Sequence, residues 1–312
     1  MQPIDIQQTC LDISHARLSS YKNFFGCDSV EDVYGIYCWN EAISGNLFRL
    51  ISITEIVMRN RFHSALSQHA FNQQSIGSYT ANDWYLYISL GFKSSEKIYN
   101  IRHKRIGKGK FVLKNPEPTS NDVVSQLTFG FWNKLLNSSL PWGNLIPEIV
   151  PGHRHKTSSH WSKQNNQDKL YARIETVNDL RNRIAHFEPI WKQKDLKEER
   201  RQRQNKPKLS VVMPAPKNSL EALERLILLH DRTVELLHWF SPSRAKDYQT
   251  SYVKSHFDWL CSKEGLDSYL NYHSNITLPS SIFKRELNKL TREKTMVNIT
   301  KNNKVKGVFY SR

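Results

Sequence analysis

The stretch AISGNLFRLISITEIVMRNRFHSAL, residues 42 to 66, decides the fold class of this chain. Leu47, Leu50, Ile51, Thr54, Val57 and Met58 recur at three- and four-residue steps, the period at which an α-helix returns to one face. The spacing predicts a long core helix. Outward from it, VVSQLTFGFWNKLL (123–136) reads as a second buried helix in which Gly130 lets a neighbour pack closely. SLEALERLILLHDRTVELLHWF (219–240) reads as an amphipathic helix with Ser219 as its cap. Leu223, Leu226, Ile227, Val234 and Leu237 form its apolar side, and Pro242 stops it. Gly and Pro number only 12 each and no strand-turn-strand rhythm runs through the chain, so the class is mainly α.

The 312 residues, 38% hydrophobic and 11% aromatic, are enough for one large or two modest domains with a sizeable core. Charge is unevenly spread: residues 1–90 hold 5 Lys/Arg against 8 Asp/Glu, and residues 91–312 hold 40 against 21. An acidic front and a strongly basic remainder point to a polyanionic partner, with nucleic acid favoured over an anionic membrane. No apolar run is long enough to span a bilayer and the start MQPIDIQQTC lacks a signal-peptide pattern, so a soluble, cytoplasmic protein is expected. Cys10, Cys27, Cys38 and Cys261 fit no metal-ligand or redox spacing and read as reduced, buried thiols; neither a metal nor another cofactor is expected.

Three segments carry the surplus charge. KSSEKIYNIRHKRIGKGKFVLK (93–114) has eight Lys/Arg and one acid, and Gly107 and Gly109 argue for a loop. Arg102, Lys104, Arg105, Lys108 and Lys110, interleaved with Tyr99 and Phe111, suit phosphate contacts and base stacking, against the alternative of a merely solvated loop. Residues 192–208, with eight basic and three acidic residues, read as a solvated helix extension or a linker. Residues 284–312 carry nine Lys/Arg and two Glu in a helical or partly disordered extension beginning at 241. PWGNLIPEIVPGHRHKTSSHW (141–161) is too rich in Pro and Gly for regular structure to be expected.

Between these lies NDLRNRIAHFEPIW, residues 178 to 191, with Arg181 and His186 five positions apart. Spacing alone means little, because an Arg followed after four to six residues by a His also occurs at Arg154/His160, Arg225/His230 and Arg232/His238. The last two pairs sit in mid-helix, where His230 and His238 read as core-edge residues, and the first lies in a loop without an acidic or cysteine complement for a metal. On a helical wheel with Ile174 at zero, Leu170, Val177, Leu180, Ile184 and Phe187 share the core arc, with Arg173 a misfit inside it. Glu175, Asn178, Asn182 and His186 fill the polar flank; Asn182 and His186 nearly align, whereas Arg181 and His186 point about 140° apart. Pro189 ends the helix near His186 or Phe187, beside the free carbonyls of the last turn. Two readings stay open: a site, or a helix end neutralised by Arg181 and His186.

LRNRIAHFEPIW resembles the signature of the Abi-like abortive-infection proteins of the AbiD and AbiF kind, within the HEPN superfamily. ISITEIVMRNRF (51–62) and VVSQLTFGFWNKLL resemble the first and central core helices of that family, so the likeness spans roughly residues 40 to 240. The resemblance implies a HEPN-type helical bundle over residues 1–240, with the basic loop as an insertion and 241–312 as an added extension. It further implies a metal-independent endoribonuclease whose site forms between two chains of a homodimer, with Arg181, Asn182 and His186 as the catalytic set. Glu55 and Arg59, four apart on the first helix, stand as supporting groups or as an ordinary helical ion pair. A non-catalytic module that only holds a structured RNA fits the same charge. A DNA-binding regulator is the third reading, though neither 42–66 nor 219–240 has a recognition helix beside it.

Overall fold

Residues 3–75, 77–204, 206–271, 276–293, 297–302 and 304–309 are described by the computed structural model. Two short helices, α1 (Ile6–Ile13) and α2 (His15–Phe25), lead into α3 (Val30–Gln74), whose 45 residues extend the predicted core helix at both ends. Its start is fixed by a capping box in which Ser29 and Asp32 satisfy each other's backbone N–H groups, and its end by Ser75 in the left-handed region at φ 53°. Ile36, Trp39, Ile43, Leu47, Leu50, Ile51, Met58 and Phe62 along it are fully buried.

The basic segment is not a loop. It forms α4 (Phe92–Arg102), held down by buried Ile98 and Ile101, and then a hairpin of β1 (His103–Gly107) and β2 (Lys110–Leu113). Gly109, at φ 70°, supplies the turn between the strands, so the glycine that argued for a loop closes a hairpin, whose register shifts once between Arg105 and Gly107. The single helix expected over 123–136 is two, α5 (Ser120–Ser125) and α6 (Phe129–Leu135), because Thr128 takes an extended conformation and starts the second. Residues 141–161 also depart from expectation, forming α7 (Trp142–Ile149) and α8 (Ser158–Trp161). Pro147 removes one backbone donor from α7, but the buried face of Trp142, Leu145, Ile146 and Ile149 holds the helix. Gly143 lets α8 close on it, since a Cβ there would lie 2.3 Å from Ser162 Oγ.

The motif helix, α9 (Gln164–Ala185), ends where Pro189 requires. Beyond it the chain is neither a solvated helix nor a free linker. It is a strap, paired once between β3 (Leu196–Lys197) and β4 (Val211–Met213) and tied to α9 by charge. Arg203 reaches Asp168 in a two-point contact at 2.7 and 2.8 Å, and Glu199 meets Arg173 at 2.5 and 2.7 Å. Arg173, the misfit of the wheel, is therefore neutralised inside the core by Glu199 and, at 2.6 Å, by Glu235.

Asn218, one residue before the expected cap, starts α10 (Ser219–Phe240). Pro242 stops α10 and also opens α11 (Pro242–Gln249), followed by α12 (Tyr252–Leu260) and α13 (Lys263–Leu270). Within the segment expected as an extension, α12 and α13 pack on α3: Phe257, Trp259, Leu260, Cys261 and Leu266 join the same core as Trp39. Trp39 Nε1 donates to the Leu260 carbonyl at 2.8 Å, and Asn46 Nδ2 to that of Val253 at 3.1 Å. Next come β5 (Ile276–Pro279), α14 (Ser280–Glu293), β6 (Val297–Lys301) and β7 (Lys304–Phe309), with β5 parallel and β7 antiparallel to β6. Residues 294–296, 303 and 310–312 of the Lys-rich tail lie outside the described residues. Among the described residues no helix is long and apolar enough to cross a membrane, and all four cysteines are buried and unpaired.

Trp39→Ala is expected to remove about 3–5 kcal/mol of stability, whereas Trp39→Phe, which keeps most of the ring but orphans the Leu260 carbonyl, should remove about 1–3 kcal/mol. Urea titrations followed by circular dichroism measure both. Near-equal stability of all three proteins would show that α12 does not close on α3 through this residue.

Candidate functional site

The chain just beyond α9 is tied back to the last turn of the helix. Arg183 donates through Nη2 to the Pro189 and Lys192 carbonyls at 2.8 Å each and pairs with Glu188 at 3.2 Å. Ile190 N–H donates to buried Asn40 on α3 at 3.0 Å, which fixes the chain after the motif. Leu170, Val177, Leu180 and Ile184 are buried as the wheel requires, but Phe187 is not. It takes φ 53°, leaves the helical arc and stands 75% exposed, with its carbonyl held by Arg17 at 2.8 Å.

Two cavities flank this turn, and Asn182 lines both. On one side, about 400 Å³ between α4, α6 and α9 is lined by Arg181, Asn178 and three lysines, Lys93, Lys97 and Lys134. Gly130 lies against Asn178: a Cβ there would be 3.5 Å from its Nδ2. The Nε of Arg181 is buried without a hydrogen-bond partner. On the other side, about 560 Å³ between α9 and the strap holds His186 with Glu175, Asp179, Lys197 and Arg200. Arg181 and His186 thus open on different cavities of one chain, as their splay on the wheel predicts.

Glu55 and Arg59 stand behind the first cavity. Burial raises the Glu55 carboxyl, while Arg181, Arg59 and the Phe129 N–H that it accepts pull it back down. Arg59 donates to the Ser125 carbonyl at 3.3 Å, and Lys97 donates to Thr128 at 2.9 Å. Lys97 is pushed down by burial and by Arg181, against the pull of Glu55. Sequence reasoning counted Lys97 within the basic run but gave it no place; a helical rather than looped 92–102 was needed to see that its side chain returns to Arg181. Glu175 was legible only as part of the polar flank. Its carboxyl is raised by partial burial and then by the Asp179 charge, and Tyr171 Oη donates to it at 3.4 Å.

The five basic residues proposed for RNA separate into two groups. Arg102, in the last turn of α4, is bound to Glu117. Lys104, Arg105, Lys108 and Lys110 lie on the exposed hairpin, where Arg105 sits opposite Phe111. Tyr99 stacks on His103 at 3.8 Å and meets Phe111 edge-on at 5.9 Å, so the hairpin base carries an aromatic cluster. Helix α4 connects this hairpin to the Arg181 cavity, with Lys93 and Lys97 at one end and Arg102 at the other. Of the other spaced pairs, His230 is buried but His238 is exposed, and Arg225 is buried and clamps the strap through the Lys194, Met213 and Pro214 carbonyls.

A family model described as Abi-like protein matches residues 10–192, more than half of the chain, from within α1 to the residues just past His186. The chain belongs to the Abi-like protein family. This places it among proteins of abortive infection, the phage-defence strategy from which the family takes its description. No curated protein and no solved structure matches it. The matched span of this Abi-like protein contains both cavities' α9 wall, Glu55, Arg59 and the hairpin, whereas α10 to α13 lie beyond it.

A raised carboxyl is one whose ionised form the fold disfavours. Folding carries no such penalty well below the ordinary glutamate value of about 4.3, and the penalty is complete once pH has risen through the higher folded value. Glu175→Gln should therefore melt higher than the parent at about pH 7 and indistinguishably from it at about pH 3. Thermal melts across that range test this; a lower melting temperature at neutral pH would show that Glu175 stabilises the α9 flank instead.

Proposed function

We propose that this Abi-like protein is a cytoplasmic, HEPN-type RNA-binding effector and a metal-independent endoribonuclease that acts as a two-fold homodimer. The observation that carries the reading is the placement of Arg181 and His186 at the C-terminal end of α9 on two flanking cavities, with Asn182 lining both. In this mechanism one His186 imidazole takes the proton of a ribose 2′-hydroxyl, whose oxygen attacks the adjacent phosphorus. The 5′-oxygen leaves with a proton from the second chain's His186. Arg181, which lines the first cavity, pairs with the phosphate as charge builds on it. The products are a 2′,3′-cyclic phosphate and a 5′-hydroxyl.

Dimerisation would bring the separated halves of the site together, and the surface beside His186 suits it. Phe187 projects next to an apolar groove of about 340 Å³ lined by Tyr37, Ser44, Gly45, Phe48 and Ala185. Each Phe187 is taken to enter the partner's groove, so that the last turns of the two α9 helices face each other. The hairpin lysines, Arg105 and the Tyr99/Phe111 cluster extend the RNA footprint beyond the scissile bond, with Glu55 and Arg59 holding Arg181 in place. A structured non-coding RNA bound along this footprint is proposed to restrain the nuclease before infection. The second reading, a binding module without cleavage, draws on the same basic surplus, which exceeds what one scissile phosphate requires.

Incubation of the purified protein with RNA in EDTA should give cyclic-phosphate fragments, and His186→Ala should reduce their rate by about 100-fold or more. RNA bound equally by both proteins and cut by neither would leave the binding module standing. Phe187→Glu should shift the protein to a monomer in light scattering and lose cleavage with it. A dimeric Phe187→Glu protein would remove this groove from the interface.

A further inference from the structure

The opposite end of α9 carries a cavity that the proposed nuclease does not use. It encloses about 460 Å³ and is walled by rings: Trp161, Trp239, His153, His155 and His160. That volume falls in the range of roughly 300–1,000 Å³ typical of small-ligand sites. Its floor is rigid. Trp161 is 2% exposed and donates through Nε1 to the His155 carbonyl at 2.9 Å. His153 stands edge-on to Trp161 and Trp239, 4.8 Å from each, and its Nδ1 accepts the His155 N–H at 3.1 Å. Gly152 presses this loop onto the end of α10, for a Cβ there would lie 2.0 Å from the His238 carbonyl oxygen.

The charges in this cavity are unbalanced. Its two carboxylates, Glu199 and Glu235, are both bound to Arg173, which also lies over the Trp239 ring at 4.7 Å. Arg154 and Lys169 at the mouth have no ion-pair partner among the described residues. Between them His155 and His160 stack face to face, 3.9 Å apart and 13° from parallel. Burial, then the neighbouring His155, Lys163, Lys169 and Arg154, hold the His160 imidazole below its ordinary range. Among the described residues no group of three or more His, Cys, Asp or Glu side chains is arranged to hold a metal ion, and here the imidazoles face one another in a stack. What the cations and the stacked pair lack is an anion.

We infer that this cavity is a second ligand site, which takes a nucleotide by its phosphate between Arg154, Lys169 and the stacked His155 and His160 rings. The cations and imidazole N–H groups match phosphate oxygens. The remaining space exceeds a bare phosphate and is bounded by rings, which suits a flat base. Asn166 in this cavity and His186 lie 20 residues apart on α9, about 30 Å along its axis, so one nucleotide cannot fill both sites. The inference is independent of RNA cleavage. The nucleotide is either free or the terminal one of an RNA chain, and these sources share the same chemistry.

The site carries a pH signature. Around His160 stand the imidazoles of His153, His155 and His238, the basic side chains Arg154, Lys163, Lys169 and Arg173, and the carboxyls of Glu199 and Glu235, both of which are bound to Arg173. An incoming phosphate counters the burial and the neighbouring positive charge that hold the His160 imidazole down, so binding takes up a proton there and tightens as pH falls. Calorimetric titration of the full chain, freed of nucleic acid, would use adenosine 5′-monophosphate, inorganic phosphate, and one short RNA in 5′-phosphorylated and 5′-hydroxyl forms. The monophosphate should bind more tightly than inorganic phosphate, and more tightly at about pH 6 than at about pH 8. Arg154→Ala/Lys169→Ala, which alters exposed side chains only, should weaken it by about tenfold or more while melting like the parent. Preference for the 5′-phosphorylated RNA over the monophosphate and the hydroxyl form, lost in the double variant, would identify an RNA end as the source. Equal affinity for monophosphate and phosphorylated RNA would identify a free nucleotide. Absence of saturable nucleotide binding, or binding unaffected by the double substitution or by pH, would overturn the site.

Discussion

Burial of α3 at positions along its whole length is the constraint on which the rest of the molecule depends. From Val33 to Asn40 only Tyr37 keeps partial exposure, and Phe62 to Ala70 are almost as enclosed. A helix that is apolar on most sides cannot be satisfied by one neighbour, so α2, α7, α9, α10, α12 and α13 are all drawn against it. The line left open runs through Glu41, Gly45, Phe48 and Ile56. The motif turn of α9 comes to rest beside that line, so the candidate site and the apolar groove are neighbours because of how α3 is covered.

A second constraint acts on α9 through charge. Burying Arg173 in a core arc is unfavourable unless counter-ions follow it inside, and they come from the strap as Glu199 and from α10 as Glu235. The strap in turn needs Arg203 on Asp168 and Arg225 on three carbonyls to stay in place. These contacts build the far wall of the His186 cavity. The position of the imidazole thus depends on residues that carry no chemistry themselves, some of them forty positions away.

The parts of this fold that were legible in the sequence are those governed by local period and by Pro. Apolar spacing found α3 and α10, and Pro189 found the end of α9. The splay of Arg181 and His186 was readable from the helical angle alone. What escaped was decided by partners distant in sequence. Lys192–Lys208 looked solvated because nothing in it announces that Glu199 and Arg203 meet residues of α9. The hairpin escaped because its strands are short and exposed on both faces, so no alternation of apolar and polar residues marks them. The burial of Phe257, Trp259 and Leu260 escaped because their partner is Trp39, more than two hundred positions earlier. Phe187 was misplaced for a different reason: the wheel assumes helical geometry, and a left-handed residue breaks it.

The same covering of α3 bears on where this protein can be divided. Family likeness ends at residue 192, yet the side of α3 that carries Leu50 is closed by Val234, Leu237, Ala245, Tyr248 and Val253, all beyond that point. A chain cut there would keep every residue of the motif and leave that flank of its central helix in water. The end of the family match and the end of the folding unit are therefore different places on this polypeptide.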